Sequence, residues 1–258
     1  MDTFLFDKII FGPVKSRRLG ISLGINLLPL DQKVCSFDCI YCECGWNDKQ
    51  NTKHLMPKTS DIIQCLEKEF NRIHVENQII DTITFAGNGE PSLHKDFAFI
   101  IQKTKELRDQ FLPTVKIAVL SNSTNLGKVD VFQALQSIEL PIMKMDTVIE
   151  NTYRELNRPV NNQTIQSIIE GLKFFHGNFI LQTMFLRGSK DLAHLDNTTM
   201  QELRELMDVI KELSPRRIMI YSLERCTPED RLLKIDSDEL YRIAAIMKEE
   251  GIFVEVYD

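Results

Sequence analysis

Along most of this chain, short runs rich in β-branched and aromatic residues alternate with longer segments whose apolar residues recur at helical spacing. That alternation constrains the fold more than any other feature, because strands that are each followed by a helix build a parallel sheet covered by helices. The candidate strands are ISLGINLL (21–28), DTITFAG (81–87), VKIAVLS (115–121), IMKMD (142–146), NFILQTMFL (178–186) and RRIMIYSL (216–223). Between the first two, SDIIQCLEKEFNRI places Ile62, Ile63, Leu66, Phe70 and Ile73 on one helical face, with Ser60 as its N-cap. Further helical stripes run through 96–110, 128–138, 163–176, 197–213 and 237–250 and read as core packing. Six right-handed β/α units in succession curl into an α/β fold, an incomplete (β/α)6 TIM-like barrel with a parallel sheet. A full eight-unit barrel and a doubly wound sheet are the alternatives.

No Pro/Gly/Ser-rich linker, charge block or repeat interrupts the pattern, so one domain over residues 1–258 is expected. It has a lead-in at 1–19, and a C-terminal helix followed by a candidate short strand, FVEVYD, within 236–258. The formal charge of −6 argues against a chain that coats nucleic acid through bulk electrostatics. MDTFLFDKIIFGP carries Asp2, Asp7 and Lys8 without a leading basic region, which does not match a signal peptide. No run approaches the roughly 20 apolar residues of a membrane span. A cytoplasmic protein with no membrane partner is expected, in a compartment where thiols stay reduced and clustered cysteines bind metal more often than they form disulfides.

Four of the six cysteines fall in CSFDCIYCECG (35–45), directly after the first candidate strand. Loops after the C-terminal ends of the strands form the active face of such folds. Thiolates in this number bind zinc or an iron–sulfur cluster. A structural zinc site draws on two separated cysteine pairs, and no second pair exists here. Cys42 and Cys44 stand too close to serve one ion comfortably, whereas Cys35, Cys39 and Cys42 are spaced C-x3-C-x2-C.

That spacing, with Tyr41 before the third cysteine, resembles the radical S-adenosylmethionine (SAM) enzymes. AGNGEP (86–91), ending the second strand, resembles the family's glycine-rich motif, although Asn88 stands where two adjacent glycines are common. LSNST (120–124) resembles the strand end that contacts the SAM ribose. GPVKSRRLGISLGINLLP and LNRP (156–159) resemble, more weakly, the subgroup related to the wyosine-forming tRNA enzymes. Together these matches extend from about residue 9 to residue 225.

The resemblance implies a 4Fe-4S cluster on Cys35, Cys39 and Cys42, with the fourth iron open to SAM. It implies that SAM is cleaved reductively to methionine and a 5′-deoxyadenosyl radical, which takes hydrogen from a substrate. Gly87, Asn88, Gly89 and Glu90 would then hold the methionine end, Ser121 and Asn122 the ribose, and the Tyr41 backbone the adenine. Gln182 and Leu223 are further candidates for contact with SAM. An electron donor such as flavodoxin or ferredoxin is implied as partner, and the substrate is a small molecule, a peptide or RNA.

Other residues have more than one reading. Asp146 binds SAM, positions substrate or caps a turn, and Gln182 faces a ligand or is a satisfied core amide. Cys44 reads as a small turn residue, and Cys226, after the sixth strand, as a hydrogen or electron donor or a neutral loop residue. Trp46 shields the cluster loop, stacks on a planar substrate or simply packs. Lys15, Arg17, Arg18, Arg216 and Arg217 are phosphate contacts if the substrate is RNA, but they precede their strands and belong nearer the barrel bottom. Arg158, Arg187 and Arg225 follow theirs and suit an anionic substrate or the SAM carboxylate. The competing class is a zinc-stabilised or iron–sulfur protein without enzymatic activity.

Overall fold

A computed structural model describes residues 3–47 and 55–258, which leaves residues 1–2 of the lead-in outside the described residues. The strands are β1 (Ile10–Ser16), β2 (Gly20–Ile25), β3 (Thr82–Phe85), β4 (Lys116–Ser121), β5 (Leu140–Lys144), β6 (Ile180–Met184), β7 (Leu186–Gly188), β8 (Arg217–Tyr221), β9 (Leu232–Lys234) and β10 (Glu255–Tyr257). The α-helices are α1 (Thr59–Val75), α2 (Phe97–Phe111), α3 (Val129–Gln136), α4 (Glu150–Leu156), α5 (Ile165–Lys173), α6 (Met200–Leu213) and α7 (Ser237–Glu249). One eight-stranded sheet runs in the order β1-β2-β3-β4-β5-β6-β8-β10, parallel except for β1, while β7 and β9 pair as a separate antiparallel ribbon.

Both faces of the sheet are apolar, as a helix-covered parallel sheet requires. Leu23, Ile25, Ile83, Phe85, Ile117, Val119, Leu181 and Ile220 pack outward against the helices. The alternate residues Ala118, Ile142, Ile180 and Met219 converge on the inner face, where Leu19 from the β1–β2 turn and Tyr257 from β10 join them. Residues from opposite ends of the sheet meet this way only if it curls. The same turn reaches β8: Arg17 pairs with Glu224 at 3.2 Å, and the Arg18 guanidinium lies 4.4 Å over the Tyr221 ring. The fold is therefore the incomplete TIM-like barrel.

Each expected strand and helix is present with shifted ends, and FVEVYD contributes β10. Three details differ. Ser60 is not the N-cap of α1: the helix starts at Thr59 after Lys58, which makes no side-chain capping bond, and the Ser60 hydroxyl donates to Asp61 Oδ1 (3.0 Å). The lead-in contains β1. The stretch between β5 and the expected helix at 163–176 forms α4, whose Tyr153 and Leu156 are its buried residues. Among the described residues no helix is long and apolar enough to cross a membrane.

Candidate active site

The cysteine loop leaves the C-terminal end of β2 and is fixed on both sides by backbone. On one side Val34 forms a parallel bridge with Gly89: Val34 N donates to Asn88 O (2.8 Å) and Glu90 N donates to Val34 O (3.2 Å). A Cβ on Gly89 would stand 1.9 Å from Val34 O, and φ there is 137°, so only glycine lets the segments approach this closely. On the other side, Asp38 N and Ile40 N donate to Asn157 O and Leu156 O (3.0 Å each), and Phe37 bridges Pro159. The LNRP segment is thus the second wall of the cysteine loop.

Each of the three motif sulfurs has donors around it. Cys35 Sγ accepts from Asn122 Nδ2 and from Phe37 N (3.5 Å each), and Cys39 Sγ accepts from Asn157 Nδ2 (3.6 Å). A hydrogen bond from the Cys44 thiol pulls Cys42 down to about 6, with Lys33 acting in the same direction. Burial pushes Cys39 up to about 11 and raises Cys35 as well. Lys33 is buried and donates to Gly45 O (2.9 Å). Burial opposes its charge, but Cys42, Cys39 and Cys35 more than offset this and raise its pKa. Among the described residues no group of three or more His, Cys, Asp or Glu is gathered so as to hold a metal ion. Three thiols ringed by N–H donors and a buried ammonium suit a larger, anionic, sulfur-ligated group, because such hydrogen bonds and charge stabilise thiolate ligands of a cluster.

Glu90 joins this loop to the end of β4. Its Oε1 accepts from Ser92 N (3.1 Å), Ser92 Oγ (2.6 Å) and Ser121 Oγ (3.0 Å), and Oε2 accepts from Asn122 N (2.7 Å). Burial raises the Glu90 pKa against these bonds. With one bond on Oε2, that oxygen retains a lone pair for a further donor. Ser121 and Asn122 are therefore turned toward Glu90 and Cys35. Asn88 is committed elsewhere: it accepts from Phe6 N (2.8 Å) and donates to Phe6 O (2.9 Å) and Pro29 O (2.8 Å). Both protons of its amide are spent, so the side chain clasps the N-terminal segment and could meet a cofactor only through the remaining lone pair of Oδ1.

Asp146 lies at the centre of a buried network. It accepts from the Tyr41 hydroxyl, Asn157 Nδ2 (3.2 Å), Met184 N (2.9 Å) and Lys144 Nζ (2.9 Å). Asp146 therefore caps no turn of its own. Burial and Asp146 together hold the Tyr41 pKa well above its usual value. Burial also opposes the charge of Lys144, yet Asp146 and Tyr221 reverse that effect and raise its pKa. Lys33, Lys144 and Asn157 went unnoticed in the sequence. A lysine inside the apolar run IMKMD was the available signal for Lys144.

The remaining candidates separate by partner. Arg187 is spent on Asp196 (2.8 Å), Thr198 (2.6 Å) and Glu239 (2.9 Å), so it is not available to an anionic ligand. Arg225 pairs with Glu43 at 3.1 Å on the surface. The Arg158 guanidinium stacks 5.0 Å over the Trp46 ring beside the cysteine loop, which gives Trp46 a packing partner. Arg216 and Arg217 bond Asn178 and Tyr257 at the start of β8, the end away from the cysteines. Cys44 Sγ also stands 3.3 Å from Gly87 O, the alternative acceptor for its one thiol proton, so it joins the cysteine loop to the glycine-rich turn and is more than a small turn residue. Leu223 is buried, and Cys226 is exposed in the loop after β8.

A family model for the radical SAM superfamily matches residues 31–191, and the chain belongs to that superfamily. A UPF0026 protein of Methanocaldococcus jannaschii is 32% identical over 247 residues, covering 93% of this chain and 71% of its own length. Among solved structures, Streptococcus suis SuiB bound to S-adenosylmethionine superposes with a TM-score of 0.64 at 14% identity. It covers 91% of this chain, which spans 50% of that protein. TYW1 with a lysine-pyruvate adduct bound superposes with a TM-score of 0.59 at 14% identity, covering 88% of this chain and 73% of that one. The likeness to these structures is one of fold. Membership of the superfamily implies SAM and an iron–sulfur cluster as cofactors.

Proposed function

We propose that the chain is a radical SAM enzyme, a single core domain over residues 1–258, whose Cys35, Cys39 and Cys42 hold a 4Fe-4S cluster. The observation that carries this reading is the direct coupling of the cysteine loop to the glycine-rich turn: Val34 bridges Gly89, and Asn122 bonds both Cys35 and, through its backbone, Glu90. When bound, the cluster supplies an electron to SAM, whose reductive cleavage gives methionine and a hydrogen-abstracting 5′-deoxyadenosyl radical.

The chain's own residues bind and orient. Glu90 Oε2 offers its remaining lone pair to the methionine ammonium, and Gly87 and Gly89 let backbone approach it. Ser121 and Asn122 lie next to Glu90 where the ribose would follow, with the Tyr41 backbone, Gln182 and Leu223 further along the same face. Lys33 keeps positive charge against the thiolates, which favours their ionised form. A flavodoxin or ferredoxin serves as electron donor.

The test is anaerobic reconstitution with iron and sulfide, followed by a visible spectrum and an assay for 5′-deoxyadenosine. A sulfur-to-iron absorption band with SAM cleavage is expected. Stoichiometric zinc with no cleavage overturns the reading in favour of a structural metal protein. A tRNA substrate is the second reading, favoured by the resemblance of LNRP to the subgroup related to the wyosine-forming tRNA enzymes and by its placement as a wall of the cysteine loop. Comparison of tRNA nucleosides from cells with and without the gene tests it, and identical profiles refute it.

A further inference from the structure

The inner face of the half-barrel follows from period-two alternation along its strands. Ile142, Ile180 and Met219 pack together on that face. Lys144, Gln182 and Tyr221, each two residues further along β5, β6 and β8, therefore project from the same face, nearer the cysteine loop. In register, Lys144 pairs with Gln182 and Gln182 with Met219, and Tyr221 stands one step further along, opposite Met184; the Lys144 side chain spans that step to reach the Tyr221 hydroxyl. Hydrogen-bond donors thus appear on this face beyond Ile142 and Ile180, interleaved with Met219 and Met184.

These donors are incompletely used. Lys144 Nζ donates to Asp146 Oδ1 and Tyr221 Oη (2.9 Å each), and an ammonium has three protons. Among the described residues, neither its third proton nor the proton of the Tyr221 hydroxyl has an acceptor. Gln182 is 4% exposed, and among the described residues its side-chain amide makes no hydrogen bond. The residue is buried but its amide atoms are not among the buried atoms that lack a partner, so the amide opens onto the interior space, where a ligand can meet it. The Lys144 side chain stays 21% exposed, so solvent reaches this point of the interior.

Charge selects the ligand class. Arg18 covers the Tyr221 ring at 4.4 Å, and its buried Nη1 has no hydrogen-bond partner. Two cations thus flank Tyr221, and Asp146, which answers Lys144, is already bonded to Tyr41, Asn157 and Met184. An additional acceptor that carries negative charge satisfies the open donors and the excess charge together.

We infer that the inner wall beside Lys144, Tyr221 and Gln182 seats an anionic oxygen group of the substrate, a carboxylate or a phosphate. Lys144 Nζ and the Tyr221 hydroxyl donate to it, Gln182 Nε2 completes the set, and Asp146 positions Lys144. The inference deepens the proposed function and rests on it for what is bound above this wall.

Calorimetric titration of the anaerobically reconstituted protein with succinate and with glycerol 3-phosphate, against succinamide and glycerol as neutral counterparts, tests it. One anion is expected to bind saturably while its neutral counterpart does not, and the one that binds identifies the group as carboxylate or phosphate. Lys144→Met should weaken binding by about a hundredfold, and Tyr221→Phe or Gln182→Leu by about tenfold, as loss of one bond to a charged group predicts. The two milder variants decide the matter if Lys144→Met fails to fold. Absence of saturable binding by either anion, or affinity unchanged in the folded variants, overturns the inference. SAM cleavage is measured on the same preparation. Cleavage without anion binding refutes this inference alone, and anion binding without cleavage refutes the proposed function alone.

Discussion

Replacing Gly89 with alanine adds one methyl group at the closest backbone approach in the candidate site. The new Cβ would sit 1.9 Å from Val34 O and 2.5 Å from its carbonyl carbon, at a φ of 137°. Backbone cannot rotate away as a flexible side chain can, so the two segments must separate by about 1 Å, which breaks the close approach that glycine permits. The backbone conformation alone costs on the order of 1–3 kcal/mol, and loss of the bonds between Val34, Asn88 and Glu90 adds about 1 kcal/mol each. A total of about 3–5 kcal/mol lowers the melting temperature by roughly 6–20 °C in a domain of this size. Because Cys35 is the next residue after Val34, iron incorporation should fall with stability. Gly127→Ala is the control: an added Cβ there meets nothing within 4 Å. Thermal unfolding and iron content after reconstitution measure both variants. If Gly89→Ala melts within a degree of the parent and takes up full iron, the close approach does not hold the loop, and the coupling argued from it fails.

Cys39→Ala should abolish the cluster absorption band. Cys44→Ala should retain the band but shift the midpoint potential, because the thiol hydrogen bond to Cys42 is lost; equal iron loss in both variants would make Cys44 a ligand. Asp146→Ala strands Lys144, Tyr41 and Met184 N in the interior and should cost about 3–5 kcal/mol by denaturant unfolding, well above the cost of Asp146→Asn. Glu229 is held down to about 2, chiefly by its hydrogen bonds with Arg231. A lowered folded pKa stabilises above the unfolded value, so a contribution on the order of 1 kcal/mol should disappear as pH falls from about 4.5 toward 2. Acid unfolding curves of the parent and of Glu229→Gln should converge at the low end of that window, and parallel curves would show that the ion pair contributes nothing.

The parallel strands were legible because each is a short apolar run buried on both faces, and their helices because one stripe of each packs outward on that sheet. β1 was not: it contains Gly12 and Pro13, is half-exposed, and its register shifts between Phe11 and Val14. α4 has only seven residues, too few for a periodic signal to stand out. In the site, cysteine spacing and the glycine-rich turn could be recognised locally. What Asn88, Asn157 and Lys144 do could not, since each is defined by partners between 11 and 118 residues away or on a neighbouring strand. Asn88 is the instructive case. Its place within AGNGEP suggests a cofactor contact, whereas its amide is filled on both sides by main-chain groups.

That filled amide changes how the N-terminal segment must be regarded. Phe6 is held by Asn88, Phe4 N donates to Glu43 O (2.8 Å) in the cysteine loop, and Phe6 stacks on Phe11 of β1 with centroids 3.7 Å apart. The turn after β1 then sends Leu19 into the inner apolar layer and Arg18 over Tyr221. One continuous stretch of chain therefore touches the glycine-rich turn, the cysteine loop and the inner wall in succession. A half-barrel leaves its interior open along the side where strands are missing, and closing a site against water suppresses side reactions of whatever is bound there. In this chain β1 stands at one edge of that opening, and the segment before it is bonded to the glycine-rich turn and the cysteine loop, so the residues ahead of the motif form part of the wall around the candidate site.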